Sequence, residues 1–301
     1  MSNVCVLMST YNGGKYLCKQ IDSLVSQTDV SLTILVRDDG SSDTTTKILE
    51  SYKQNGVLDW YSGENIGSAR SFLDLILWAP ECDYYALCDQ DDYWFPEKLS
   101  VAINRLEPMD RSKSALYFCK TALADENLNA VEKKEKCDFV VLGMPDAFMF
   151  NYAKGCTMVF NRFLLDRLRE YDPETIDMHD MWIYKVCLVT GNCIIGDETP
   201  HMLYRLHEDN VVGAANSFRK TWRTRLGFLK SKPHFRSKVA QEILRGYDRY
   251  LTAEEREQLQ VLGNYRSSFR YWMKAVFSPS YSAPFLKYTI LFKLAVLFRV
   301  F

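Results

Sequence analysis

Five short apolar runs punctuate the first 120 residues or so of this 301-residue chain: VCVLM at 4–8, LTILV at 32–36, LDWY at 58–61, YYALC at 84–88 and ALYFC at 115–119. Each is continuously apolar and rich in β-formers, the pattern of parallel strands covered on both faces. The intervals between them predict helices over about 15–27, 43–54, 68–78 and 96–106, with Asp43 as an N-cap and Pro96 in a first helical turn. Strand–helix alternation of this kind gives an α/β fold with a mostly parallel central sheet flanked by helices. In such sheets ligands bind beyond the carboxyl ends of the strands. STYNGG, RDDGSSD, GENIGSAR and DQDD follow the first four runs, so all four are expected on one rim.

Composition adds that the chain is globular, with 47% hydrophobic and 25% charged residues. Charge changes the picture more. The net value of −1 conceals 20 Lys and Arg against 33 Asp and Glu in residues 1–215, and 17 against 5 in residues 216–301. An acidic body of residues 1–215, divided near 120, and a helical basic C-terminal region of residues 216–301 are expected, with the boundary near 214–217. The nine cysteines show no CxxC or other metal-ligand spacing and mostly sit in apolar runs, which fits reduced thiols in a cytoplasmic protein. No secretory signal, internal repeat or low-complexity segment is visible at this level.

The densest chemistry is DQDD, where Asp89, Asp91 and Asp92 fall within four positions. Like charges so close repel unless something positive sits among them. A D-x-D pair at a strand end offers hard oxygen ligands to Mg²⁺ or Mn²⁺. A calcium loop is excluded: counted from Asp89, Trp94 stands where Gly is needed and Ser100 where Glu is needed. A helix cap explains one acidic residue, not three. Asp38 and Asp39 in RDDGSSD suit a turn and cap, or acceptance of hydrogen bonds from a base imide and a ribose. YNGG and ENIG make neither a dinucleotide fingerprint nor a P-loop, which argues against both cofactor classes.

In this order, VCVLMSTYNGGKYL, LVRDDGSSDTT, ENIGSARSF and LCDQDDYWFPEKL resemble the nucleotide-sugar half of the family 2 inverting glycosyltransferases with a GT-A fold. The similarity resumes in KGCTMVFNR, MHDMW and YRLHEDNVVG, where it is most like the rhamnosyltransferase-type enzymes of bacterial surface polysaccharide synthesis. The resemblance implies that Thr10, Tyr11, Asp38, Asp39, Arg70 and Arg205 hold the donor, and that Asp89 serves both the ribose and the metal. It implies Asp91 and His207 as further ligands of Mn²⁺ or Mg²⁺, and Asp180 as the catalytic base. His179 stands where many members carry Glu, and with Trp182 it is placed on the acceptor side. Read without the resemblance, Asp180 is equally a helix N-cap, His207 and the arginines solvated charges, and Trp182 core. The expected reaction is metal-dependent, inverting transfer of a sugar, best matched by rhamnose from dTDP-rhamnose, to a polyprenyl-linked saccharide. Transfer of another sugar from a UDP-sugar, or a non-catalytic nucleotide- or sugar-binding protein, are the alternatives.

The basic region supplies the last clue. Residues 264–277 put Arg266, Arg270 and Lys274 on one helical face beside Tyr265, Phe269, Trp272 and Val276. That is the pattern of an interfacial membrane helix. Residues 285–301 are mostly apolar but short for a membrane span, with Lys293 at their middle. Peripheral attachment to an anionic membrane at its cytoplasmic face is expected, against packing of these helices on the body or in a homo-oligomer. No nucleic acid is expected, because no recognised binding motif accompanies the charge.

Overall fold

A computed structural model of the chain describes residues 1–132, 139–150, 152–207 and 234–301. Strands β1 (Ser2–Thr10), β2 (Val30–Asp38), β3 (Asp59–Ser62) and β4 (Tyr84–Cys88) are parallel neighbours, as the apolar runs require. The reason is visible in β1. Val4, Val6 and Met8 pack with Leu17, Ile21 and Leu24 of helix α1 (Leu17–Val25), while Cys5 and Leu7 pack with Phe72, Leu75 and Ile76 of α3 (Ser68–Trp78). With both faces covered, no polar alternation survives. Helix α2 (Thr45–Gln54) has Thr44 rather than the expected Asp43 at its N-cap, although the Asp43 carboxylate accepts from the Thr45 amide at 2.9 Å.

Two features were not readable from the apolar runs. A short strand, β8 (Val159–Asn161), inserts antiparallel between β4 and β6 (Ala115–Cys119), and β9 (Cys193–Asp197) closes the seven-stranded sheet beside β6. A second, three-stranded sheet joins β5 (Tyr93–Trp94), β7 (Ala122–Ala124) and β10 (Met202–Arg205). It clamps the chain just after DQDD against the segment leading to His207. Helix α4 (Lys98–Leu106) follows β5; α5 (Arg162–Arg169) and α6 (His179–Thr190) complete this half.

The C-terminal region contains α7 (Phe235–Tyr247), α8 (Ala253–Asn264), α9 (Phe269–Phe277) and α10 (Leu286–Leu297). Ile243, Tyr247, Leu262, Phe292 and Val296 enter the same core as Leu164 and Trp182. Tyr265, expected on an outward apolar face, is instead fully buried and its hydroxyl donates to the Phe301 carbonyl at 3.3 Å. Lys293 explains itself: Nζ donates to the carbonyls of Ala275 and Ser278, each at 2.8 Å, closing the end of α9. The basic stretch 216–233 and the boundary near 214–217 lie outside the described residues.

Candidate active site

The rim begins with Thr10, buried at the end of β1. Its hydroxyl donates to Asp38 at 3.2 Å and its carbonyl accepts from the Asp39 amide at 2.8 Å. Asp38 also accepts from the Ser41 amide at 2.9 Å and the Ser41 hydroxyl at 2.5 Å. Asp39 pairs with Arg37, itself buried, and accepts from the amides of Ile66 at 3.1 Å and Gly67 at 3.0 Å. The two carboxylates therefore fix the turn after β2 and the NIGSAR loop. Tyr11 is half exposed, and its amide and carbonyl are both bonded to the Gln90 side chain, at 2.9 and 3.0 Å. That clasp joins the ends of β1 and β4. It needs Gly13, where an added Cβ would lie 2.1 Å from Gln90 Oε1.

DQDD is a turn with Gln90 and Asp91 at its corner. A turn of this kind brings its first and fourth residues together and sends the third outward. Asp89, Asp92 and Cys156 accordingly converge, one ligand atom of each lying within 4.8 Å of the others. Asp91 points the other way, to His207, with Oδ2–Nε2 at 2.6 Å. The expected trio of Asp89, Asp91 and His207 is thus divided: Asp91 and His207 meet, whereas Asp89 is grouped with Asp92 and Cys156. Burial first, and then Asp91 and Asp180, push Asp89 up to about 7, and burial holds Asp92 well above the carboxylate range. Asp92 Oδ1 accepts from the Arg205 amide at 3.2 Å, but among the described residues its Oδ2 is buried without a hydrogen-bond partner. A partnerless buried carboxylate oxygen among carboxylates fits a hard divalent cation; the thiol of Cys156 is the one soft donor in the set.

Across the rim stands the N-terminus of α6. Asp180 accepts from the Gly155 amide at 3.2 Å and from the Met181 amide at 2.6 Å. Burial pushes its carboxyl up to about 6 despite these bonds. Its charge is close enough to raise the titration of Asp89. His179 stacks on Phe72 at 4.0 Å between centroids, and burial lowers it to about 3, so it is neutral. Neither ring nitrogen has a hydrogen-bond partner among the described residues. Gly155 makes this packing fit, because a Cβ there would come within 2.4 Å of His179 Nε2.

The remaining expected residues lie as follows. Arg70 binds Asp172 at 2.8 Å, the Glu174 carbonyl at 3.0 Å and the Pro173 carbonyl, so it secures the loop before α6. Trp182, expected on the acceptor side, is fully buried beside Tyr171 and Tyr247; its place is the core, because a side chain on that face of α6 points inward. Arg205 is buried too. Its Nε donates to the Asp91 carbonyl at 2.6 Å, it also binds the Glu126 carbonyl, and it lies 4.5 Å from the Tyr16 ring centroid. It braces the DQDD turn from β10.

Four residues that sequence reasoning passed over belong to this architecture. Cys156 lines the acidic turn. Lys98 is fully buried, donates to the Cys156 carbonyl at 2.7 Å and is lowered to about 8 by burial. Tyr16 packs beside both His207 and Arg205. Glu242 of α7, also fully buried, accepts from the Tyr171 hydroxyl at 2.6 Å and the Thr175 amide at 3.2 Å, holding the loop before Asp180. The neighbourhood of DQDD in PEKL was the one available signal, for Lys98.

Comparison with known proteins bears on the family and the fold. Residues 5–169, more than half the chain, match the family described as Glycosyl transferase family 2. A dTDP-rhamnosyl transferase, RfbG of Shigella flexneri, is 29% identical over 241 residues, 75% of this chain and 80% of its own. The UDP-Glc:alpha-D-GlcNAc-diphosphoundecaprenol beta-1,3-glucosyltransferase WfaP of Escherichia coli is 26% identical over 73% of this chain and 83% of its own. Among solved structures, residues 1–349 of S. aureus TarS in complex with UDP-GlcNAc align with a TM-score of 0.60 at 19% identity, covering 93% of this chain and 78% of that one. The mannosyltransferase PcManGT from Pyrobaculum calidifontis, in complex with GDP-Man and Mn²⁺, aligns with a TM-score of 0.52 at 14% identity over 98% and 86%. The fold is GT-A-like, and the chain belongs to the family 2 glycosyltransferases.

Proposed function

We propose that this glycosyltransferase moves a sugar, with inversion, from a nucleoside diphosphate donor at the DQDD side of the rim to an acceptor hydroxyl at the Asp180 side. The observation that carries the reading is a pair of carboxylates on two elements, Asp89 on the turn after β4 and Asp180 at the start of α6, near enough for the charge of Asp180 to raise Asp89. In the reaction the bond from the anomeric carbon to the diphosphate oxygen breaks while the acceptor oxygen bonds that carbon from the opposite face. Asp180 takes the acceptor's proton, and an ordinary carboxylate raised to about 6 is a stronger base that is still ionised at neutral pH. Asp89 and Asp92 would hold Mn²⁺ or Mg²⁺, with the Asp91–His207 pair beside them on the same turn, and the ion's charge would offset the charge building on the departing diphosphate. Arg205 and Gln90 keep the turn in place on either side. Thr10, Tyr11, Asp38 and Asp39 shape the base and ribose end, the last three by fixing backbone around it.

Rhamnose from dTDP-rhamnose is the donor favoured by the likeness to RfbG; UDP-sugars are the second choice, favoured by WfaP and TarS. A saccharide on a polyprenyl diphosphate is the acceptor class, on the analogy of WfaP, with the enzyme working peripherally at the inner membrane face in surface polysaccharide synthesis. A panel of nucleotide-sugars screened for Mn²⁺-dependent hydrolysis, with Asp180→Asn beside wild type, tests the reading. Transfer should vanish in the variant while donor affinity persists. Equal loss of donor affinity would move Asp180 to the donor site and overturn its role as base.

A further inference from the structure

We infer that α9 and α10 form a surface that docks in the plane of an anionic lipid bilayer. In α9, Ala275 is buried, while Phe269, Met273 and Phe277 follow one another at four-residue steps on the opposite, exposed side. In α10, Phe292 and Val296 are buried, while Leu286, Ile290, Leu294 and Phe298 continue the same step on the exposed side, Phe298 just beyond the helix end. Phe269, Phe277, Leu286 and Phe298 are the most open, between 66% and 74% exposed. A helix apolar around its whole circumference belongs inside a protein or in lipid, and α10 has only one side in the core.

The dimensions exclude crossing. Twelve residues of α10 reach about 18 Å against a hydrocarbon thickness of about 30 Å. Among the described residues no helix is long and apolar enough to cross a membrane. Lying in the interface is the remaining geometry for such helices.

Charge selects the occupant. From residue 264 to residue 301 there are six Lys and Arg and no Asp or Glu. Lys293 is bonded to carbonyls and Lys274 pairs with Glu257 of α8. Arg266, Arg270, Lys287 and Arg299 are exposed and form no ion pair among the described residues. A second copy of the chain seated on this face would oppose cations with cations, whereas an anionic leaflet answers them. The inference goes beyond the reading of the reaction and depends on neither the donor nor the metal.

The test is co-sedimentation of the full chain with vesicles of phosphatidylcholine containing about one third phosphatidylglycerol, and with phosphatidylcholine alone. Wild type should bind the anionic vesicles and be partly released by salt, and should bind neutral vesicles far less. The triple variant Phe277→Ser, Leu286→Ser, Phe298→Ser should lower partitioning about a hundredfold, and the double variant Arg270→Glu, Lys287→Glu more than tenfold. Circular dichroism and metal-dependent donor hydrolysis should stay as in wild type for both, and the double variant keeps the test alive if the triple one misfolds. Wild type left in the supernatant with anionic vesicles, or full binding by the variants, overturns the inference. So does a wild-type dimer that the triple variant converts to monomer without any change in vesicle binding, since the occupant is then a second copy. Loss of hydrolysis with vesicle binding intact counts against the proposed reaction alone.

Discussion

Two acidic clusters, one of two carboxylates and one of three, end neighbouring parts of one sheet, and they are treated in opposite ways. Asp38 and Asp39, after β2, are saturated by a buried arginine, hydroxyls and backbone amides. Asp89, Asp91 and Asp92, after β4, share one turn in which one buried oxygen has no hydrogen-bond partner among the described residues and the carboxyls of Asp89 and Asp92 are pushed upward. The first pair is satisfied by the fold and so shapes it. The second is incompletely satisfied among the described residues, and the proposed cation would answer it. Proximity on a rim thus separates into two functions once the hydrogen bonds are counted.

That contrast can be broken by substitution. The largest effect should come from the carboxylate that faces the unsatisfied turn: Asp180→Asn should reduce transfer about a thousandfold, read as kcat with donor Kd nearly unchanged. Asp39→Asn should instead act on folding, lowering unfolding free energy by about 3 kcal/mol in denaturant titration, because it leaves Arg37 buried with a weakened partner. If Asp39→Asn left stability untouched and abolished only donor binding, the distinction between the clusters would fail. Asp91→Asn should lower transfer about a hundredfold without loss of stability, and EDTA should abolish wild-type activity until Mn²⁺ or Mg²⁺ is returned. Full activity in EDTA would remove the cation from the turn.

The smallest effect concerns pH. Asp89 is raised in the folded protein, so its ionisation opposes folding: above the ordinary carboxylate pKa, stability declines as pH rises and the decline ends near about 7, where the folded group has itself ionised. Metal-free protein should therefore melt several degrees lower at neutral to mildly alkaline pH than at mildly acidic pH, and Mn²⁺ should abolish most of that difference. Thermal melts with and without metal measure it. Transfer should rise with pH as Asp180 ionises around about 6.

The donor half was legible because its strands are covered on both faces: the runs at 4–8 and 84–88 are uninterrupted since Val4, Val6, Cys5 and Leu7 all have core partners. The acceptor half was not, for physical reasons. A three-residue strand such as β8 has no period to detect, and its direction is fixed only by β4 and β6 on either side. DQDD was readable as chemistry, but not as a turn that unites Asp89 with Asp92 and leaves Asp91 to His207. Trp182 reads as core on its residues alone and as an acceptor-side group only by resemblance, and the structure keeps it in the core; Tyr265 looks like a surface aromatic in isolation and is core because the C-terminal helices bury it. Cys156 and Glu242 carry no signal at all until distant segments bring them to the site, and Lys98 carries only its nearness to DQDD in the chain.

Trp94 stands two residues beyond Asp92, fully buried, with Lys98 Nζ 3.0 Å from its ring centroid. The indole therefore sits under the acidic turn in a dry, rigid setting, where its emission lies to the blue of solvent-exposed indoles such as Trp78. Paramagnetic Mn²⁺ seated on the turn would quench that blue component selectively. Trp94 would then report occupancy of the turn by the proposed cation, with the equally buried Trp182 as the blue background, before any sugar nucleotide or acceptor has been found.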